Sequence, residues 1–124
     1  MKTVLVVDDD PSIRKFVKVA LEKRGWAVLE AEDGVDGIGR ILMYRPDVVI
    51  TDLSMPKSDG FEMIHILHES EGVHPVRVVI MSGVLDLTPD MKRTTGAVAL
   101  LRKPFTLVEL YAAVGEPNAQ EKDG

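Results

Sequence analysis

No cysteine occurs among the 124 residues, which excludes a disulfide framework and a thiolate metal site and suits a reducing cytoplasm. Long apolar runs are missing too. No stretch approaches the roughly 18 residues that a membrane span requires, and the first apolar run reaches three aspartates too soon to be a signal peptide. Positive charge is scarce: the net charge is -5 and Lys and Arg are scattered, which argues against a nucleic-acid surface and for a protein or cation partner. Repeats and low-complexity tracts are absent. What is present is the length of one domain, enough to bury roughly two thirds of the surface its unfolded chain exposes.

The chain is organised around Asp47-Val48-Val49-Ile50-Thr51-Asp52 and the Leu53 to Gly60 segment that follows. Three consecutive β-branched apolar residues read as a strand buried on both faces of a parallel sheet. The Pro, Ser, Asp and Gly content after Asp52 ends that strand in a loop. Asp52 therefore stands at the carboxyl end of a central strand, where open α/β sheets bind ligands. Taken alone, an aspartate there is most simply a turn-former or a cap.

The rest of the chain repeats the pattern. Thr3 to Val7 is an apolar run ending in Asp8-Asp9-Asp10 and Pro11, and Asp10 with Pro11 predicts an N-cap and first-turn proline. Ile13, Phe16, Val17, Ala20 and Leu21 then form one apolar helical stripe, closed by Lys23, Arg24 and Gly25. Ala27 to Ala31 suits an edge strand, with Trp26 before it expected to be partly exposed and remote from Asp52. A helix over Val35 to Tyr44 turns Ile38, Ile41 and Leu42 inward and is softened by Gly37 and Gly39, each costing about 1 kcal/mol. Asp59 is expected to cap a third helix, with Phe61, Ile64 and Leu67 inward and its end near Gly72. A fourth strand covers Val76 to Met81, and Thr88 and Pro89 open a short, loosely held helix stopped by Gly96. A fifth strand covers Ala97 to Leu101, and a last helix runs from Thr106 to Val114. Alternating strands and helices imply a parallel sheet covered on both faces.

Polar residues following the strong strands are Asp8 and Asp9, Asp52, Ser82 and Lys103, all on one sheet edge. Three crowded carboxylates repel one another, so an empty site raises a pKa or recruits a cation, and oxygen-only ligands at a phosphate-handling site suit Mg2+. If Asp52 attacks a phosphoryl group, the added negative oxygens need a metal, an ammonium and a hydroxyl, which Asp9, Lys103 and Ser82 supply. Each residue has a plainer reading alone: a solvated turn, a strand-end serine, a surface lysine. His65 and His68, three apart on one helix, have no evident third metal ligand and read as solvated side chains. Met55, Met63, Met81 and Met91 read as core or near-core filling.

With Val6-Val7-Asp8-Asp9-Asp10, Asp52-Leu53-Ser54-Met55-Pro56 with Asp59-Gly60, Met81-Ser82-Gly83, and Gly96-Ala97 with Lys103-Pro104-Phe105 in this order, the chain resembles the receiver domain of two-component response regulators over residues 3 to 114. The resemblance implies a (βα)5 flavodoxin-like three-layer α/β fold with strand order 2-1-3-4-5, a receiver domain over 1-115, and a polar tail or linker start over 116-124. It implies that Asp52 accepts phosphate from a sensor histidine kinase or phosphotransfer protein. Asp8, Asp9, Asp52 and the Ser54 carbonyl would hold Mg2+, Ser82 would bond the phosphoryl group, Lys103 would pair with it, and the Lys103-Pro104 peptide would be cis. A downstream effector protein or output domain is the implied partner, with no nucleic acid or membrane bound directly, a monomer or weak dimer, and a cytoplasmic location.

Two departures matter. Leu100 stands where receivers usually carry Tyr or Phe and cannot hydrogen-bond, which puts the switch through the fourth helix, fifth strand and fifth helix in question; the short last helix lowers the expectation of a phosphorylation-driven dimer. Ser54 and Val84 occupy the positions flanking the site, and Val84 implies slow to intermediate self-dephosphorylation. The alternatives are a receiver-like interaction module that does not switch and a small Mg2+-dependent phosphohydrolase. The hydrolase is disfavoured because Ser54 stands where haloacid-dehalogenase-type enzymes place a second Asp.

Overall fold

A computed structural model describes residues 2–53, 60–70, 76–83 and 89–117. Ser54, Met55, Pro56, Asp59, Gly72, Val84 and Thr88, the side chains of Phe61, His68, Met91 and Thr94, and the tail from 118 onward lie outside the described residues. Five strands alternate with five helices: β1 (Thr3–Val7), α1 (Pro11–Glu22), β2 (Ala27–Ala31), α2 (Gly34–Tyr44), β3 (Val48–Asp52), α3 (Gly60–Ser70), β4 (Arg77–Ser82), α4 (Pro89–Thr95), β5 (Ala99–Arg102) and α5 (Leu107–Val114). The strands pair in parallel in the order β2-β1-β3-β4-β5, as the alternation predicts.

Every residue of β3 is buried, whereas β2 at the edge is mostly half-buried. Side chains alternate between two cores. Val4, Val6, Val48, Ile50, Val79 and Met81 meet α1 and α5 on one face, and Leu5, Val7, Val49, Val78 and Ile80 meet α2 and α3 on the other. Local chemistry sets the ends. The Asp10 carboxylate accepts from the Ser12 amide with Pro11 at the first helical position, and Thr106 and Glu109 form a reciprocal capping box on α5. Gly25 and Gly96 take positive φ after α1 and α4. β5 begins two residues later than predicted because the Gly96 turn consumes Ala97 and Val98, whose amide donates to the Val78 carbonyl at 2.8 Å.

Four side chains depart from expectation. Trp26 is only 3% exposed: beyond Gly25 the chain doubles back, the Trp26 amide donates to the Leu21 carbonyl at 3.1 Å, and the indole joins the α1/α5 core. Its register at the start of β2 does keep it at the opposite end of the sheet from Asp52. Phe16 is 41% exposed, because short α5 covers only part of α1 and leaves the ring beside Phe105, 6.1 Å between centroids. Leu42 points to solvent, since the inner face of α2 is filled by Gly34, Gly37 and Ile41. Thr95 is buried and its hydroxyl accepts from the Ala97 amide at 3.2 Å, so the end of α4 is better anchored than its length suggested.

Candidate functional site

Ladder bonds carry each candidate residue to one sheet edge. The Asp8 amide donates to the Ala31 carbonyl beyond β1, Leu53 donates to Met81 beyond β3, and Lys103 donates to the Ser82 carbonyl beyond β5 at 2.9 Å. Asp8 and Ser82 are sealed from solvent, Asp52 is nearly so, and Asp9 is exposed. One carboxylate oxygen from each of Asp8, Asp9 and Asp52 lies within 4.8 Å of the others.

Lys103 reaches into the cluster. Its Nζ donates to Asp8 Oδ2 at 2.7 Å and to Asp52 Oδ2 at 2.9 Å, while Asp8 Oδ1 accepts from the Asp10 amide at 2.9 Å. The ammonium is thus an internal counter-ion shared by two carboxylates. It does not fully compensate Asp8. Burial pushes the Asp8 carboxyl above its ordinary value, the Asp52 charge adds to this, and Lys103 and the Asp10 amide offset only part. For Lys103, burial acts to lower the pKa, but the hydrogen bonds and charges of Asp8 and Asp52 together outweigh it and the ammonium is held above its usual range.

The donor set fits a hard divalent cation. It is all oxygen, mostly anionic, and nearly as compact as the roughly 3 to 4 Å spacing of oxygens around one octahedral Mg2+. Asp9 supplies the solvent-facing side through which a hydrated ion could enter.

The sequence matches the response regulator receiver domain family over residues 4–115. The chain belongs to that family. It is 36% identical over 110 residues to the transcriptional regulatory protein TrcR of Mycobacterium tuberculosis, covering 88% of this chain and 42% of that protein. With protein PilG of Pseudomonas aeruginosa it shares 30% over 112 residues, 90% of this chain and 83% of PilG. The chain thus spans less than half the length of TrcR. Among solved structures, a response regulator receiver domain protein of Clostridium thermocellum superposes with a TM-score of 0.81 at 32% identity, covering 98% of each chain. TrrA of Thermotoga maritima, solved in complex with Mg(2+)-BeF, gives 0.80 at 27% identity over 92% of this chain and 96% of that one.

In this receiver domain, one neighbour of the site was not foreseen. Arg14, one turn into α1, donates from Nη1 to the Asp8 carbonyl at 2.8 Å and from Nε to Glu30 Oε1 at 3.1 Å. Its only sequence signal is a cation on the polar side of α1 one turn past the Asp10 cap. Leu100 is half-buried against the α2/α3 core. His65 is exposed and lies 3.1 Å from Glu69 on its own helix, which supports the solvated reading.

Proposed function

We propose that this receiver accepts a phosphoryl group on Asp52 from the phosphohistidine of a sensor kinase or phosphotransfer protein. The observation that carries the reading is the Lys103 ammonium bonded at once to Asp8 and Asp52 inside a compact three-carboxylate cluster. A carboxylate oxygen of Asp52 forms the new P–O bond as the P–N bond breaks, and the departing imidazole takes up a proton. Lys103 stays within reach of the charge that accumulates on the phosphoryl oxygens, and the Ser82 hydroxyl, at the end of the adjacent strand, serves as a hydrogen-bond donor to them. Asp8, Asp9 and Asp52, with the carbonyl of Ser54, would hold Mg2+. Neutralising the phosphoryl oxygens is the chemistry that ion supplies when bound. The TrrA complex with Mg(2+)-BeF supports this reading, because a beryllium fluoride next to a carboxylate imitates a phosphoryl group.

The receiver unit is taken as residues 1–115, with 116–124 a tail or the start of a linker. The phosphorylated form signals in the cytoplasm through a separate effector or a fused output domain, and Val84 makes loss of phosphate slow to intermediate. A second reading, a receiver-like module that does not switch, is favoured by Leu100, an aliphatic side chain without a hydrogen-bonding group that packs half-buried against the α2/α3 core.

Labelling with acetyl phosphate and Mg2+ separates the readings. One acid-labile phosphate per chain with shifted amide resonances is expected, slowed at least about tenfold in Lys103→Met and less in Ser82→Ala. Labelling without amide shifts would support the non-switching module, and catalytic turnover of the donor would indicate a phosphohydrolase.

A further inference from the structure

α2 is apolar on two sides. Gly34, Gly37 and Ile41 face the core, yet Val35, Leu42 and Met43 are 68%, 59% and 74% exposed. With Gly39 they fall at i, i+4, i+7 and i+8, a continuous stripe of the kind a helix buries against another element. None of the described elements covers it.

Gly39 sharpens the point. Glycine in a helix interior is unfavourable relative to alanine. At Gly37 the packing shows why it is kept, since an added Cβ would come within 2.7 Å of Met63 Sδ and 3.3 Å of Val7 Cγ2. At Gly39 an added Cβ would meet nothing within 4 Å. Nothing among the described residues requires a glycine there, whereas close approach of another backbone from outside would.

The charges say what approaches. Asp36 and Arg40 flank the stripe on one side, 3.5 Å apart and both partly exposed, and they straddle the level of Ile38 and Gly39. A purely acidic or purely basic partner would leave one of them opposed. A second copy of α2, antiparallel about a two-fold axis near Ile38 and Gly39, sets each Asp36 beside the partner's Arg40 and each Val35 near the partner's Leu42 and Met43. Such a contact is isologous and closes on itself.

We propose that the outer face of α2 is a homodimer contact, built from Val35, Gly39, Leu42 and Met43 and registered by Asp36 and Arg40. Its 11 residues span about 16 Å, so it covers less than the roughly 800 Å² per partner of a standard interface. The dimer is therefore weak, and it forms without a phosphodonor because no residue of the Asp52 site takes part.

Sedimentation velocity over a concentration range centred on the order of 100 µM tests this. Wild type is expected to show a reversible monomer–dimer equilibrium. Met43→Glu, Asp36→Arg and Arg40→Asp should each weaken it about tenfold, with circular dichroism reporting that the fold is kept. Mixing Asp36→Arg with Arg40→Asp should restore association, because the swapped charges again oppose each other across the two-fold. Gly39→Ala should raise Tm at low concentration and weaken the dimer at high concentration, two effects of opposite sign. A wild type that stays monomeric throughout, or a dimer unmoved by these variants or not restored in the charge-swap mixture, would overturn the proposal.

Discussion

Asp8 is closed off from solvent with Lys103 on one oxygen and the Asp10 amide on the other, and burial still raises its pKa above the ordinary 3.8. Because the folded-state value exceeds the unfolded one, its favourable contribution is complete below the ordinary value and is lost as pH rises through the folded value. At neutral pH, ionised Asp8 thus costs stability. Asp8→Asn should make the metal-free protein more resistant to urea at pH 7, with the gain shrinking towards acid pH; an unchanged or lower urea midpoint at pH 7 would contradict this. Lys103 works in the opposite direction: its pKa is raised, so its contribution persists up to about its ordinary 10.5 and is lost only at higher pH. Thr51 presents a different imbalance. It is fully buried on β3 and its Oγ1 has no hydrogen-bond partner among the described residues. Thr51→Val keeps the β-branched shape and removes the orphan hydroxyl, and should add about 1 kcal/mol in chemical denaturation.

At the scale of elements, two glycines two residues apart on α2 should answer the same substitution with opposite signs. Gly37→Ala drives a methyl against Met63 and Val7 in a filled core and should cost about 1 to 3 kcal/mol. Gly39→Ala, in open space, should gain up to about 1 kcal/mol in the monomer. Equal effects in equilibrium unfolding would mean that helix propensity alone governs α2. α5, only eight residues long, is held by contacts along its C-terminal half: Arg77 Nη1 donates to the Val114 carbonyl at 2.9 Å, and the Tyr111 hydroxyl donates to the Ala20 carbonyl at 3.2 Å. The Arg24 guanidinium sits 4.1 Å from the Tyr111 ring centre and pairs with Glu116. A helix too short to persist alone is thereby tied to α1 and β4.

Across the whole molecule, the convergence of the candidate residues on one sheet edge was legible because it follows from one-dimensional features. Asp8, Asp52 and Ser82 end or immediately follow apolar strands, Lys103 lies just past another, and alternation with helices makes those strands parallel, so their carboxyl ends share one edge. Arg14, Trp26, Phe16 and Leu42 were not legible in the same way. Each depends on what packs over a helix or beyond a turn: the reach of Arg14 to Asp8 and Glu30, the reversal at Gly25, the short cover that α5 gives α1, and the filled inner face of α2. Periodicity shows that a stripe exists, not how many neighbours it has. The central claim, that carboxylates from separate strands converge with Lys103 to make Asp52 a metal-assisted phosphoacceptor, is tested most directly by intact-mass and peptide mapping of wild type and Asp52→Ala after acetyl phosphate treatment, with Mg2+ and with chelator. One added phosphoryl group on the Asp52 peptide, present only in wild type with Mg2+, is expected. An unmodified wild type, or equal modification of Asp52→Ala, would contradict the account.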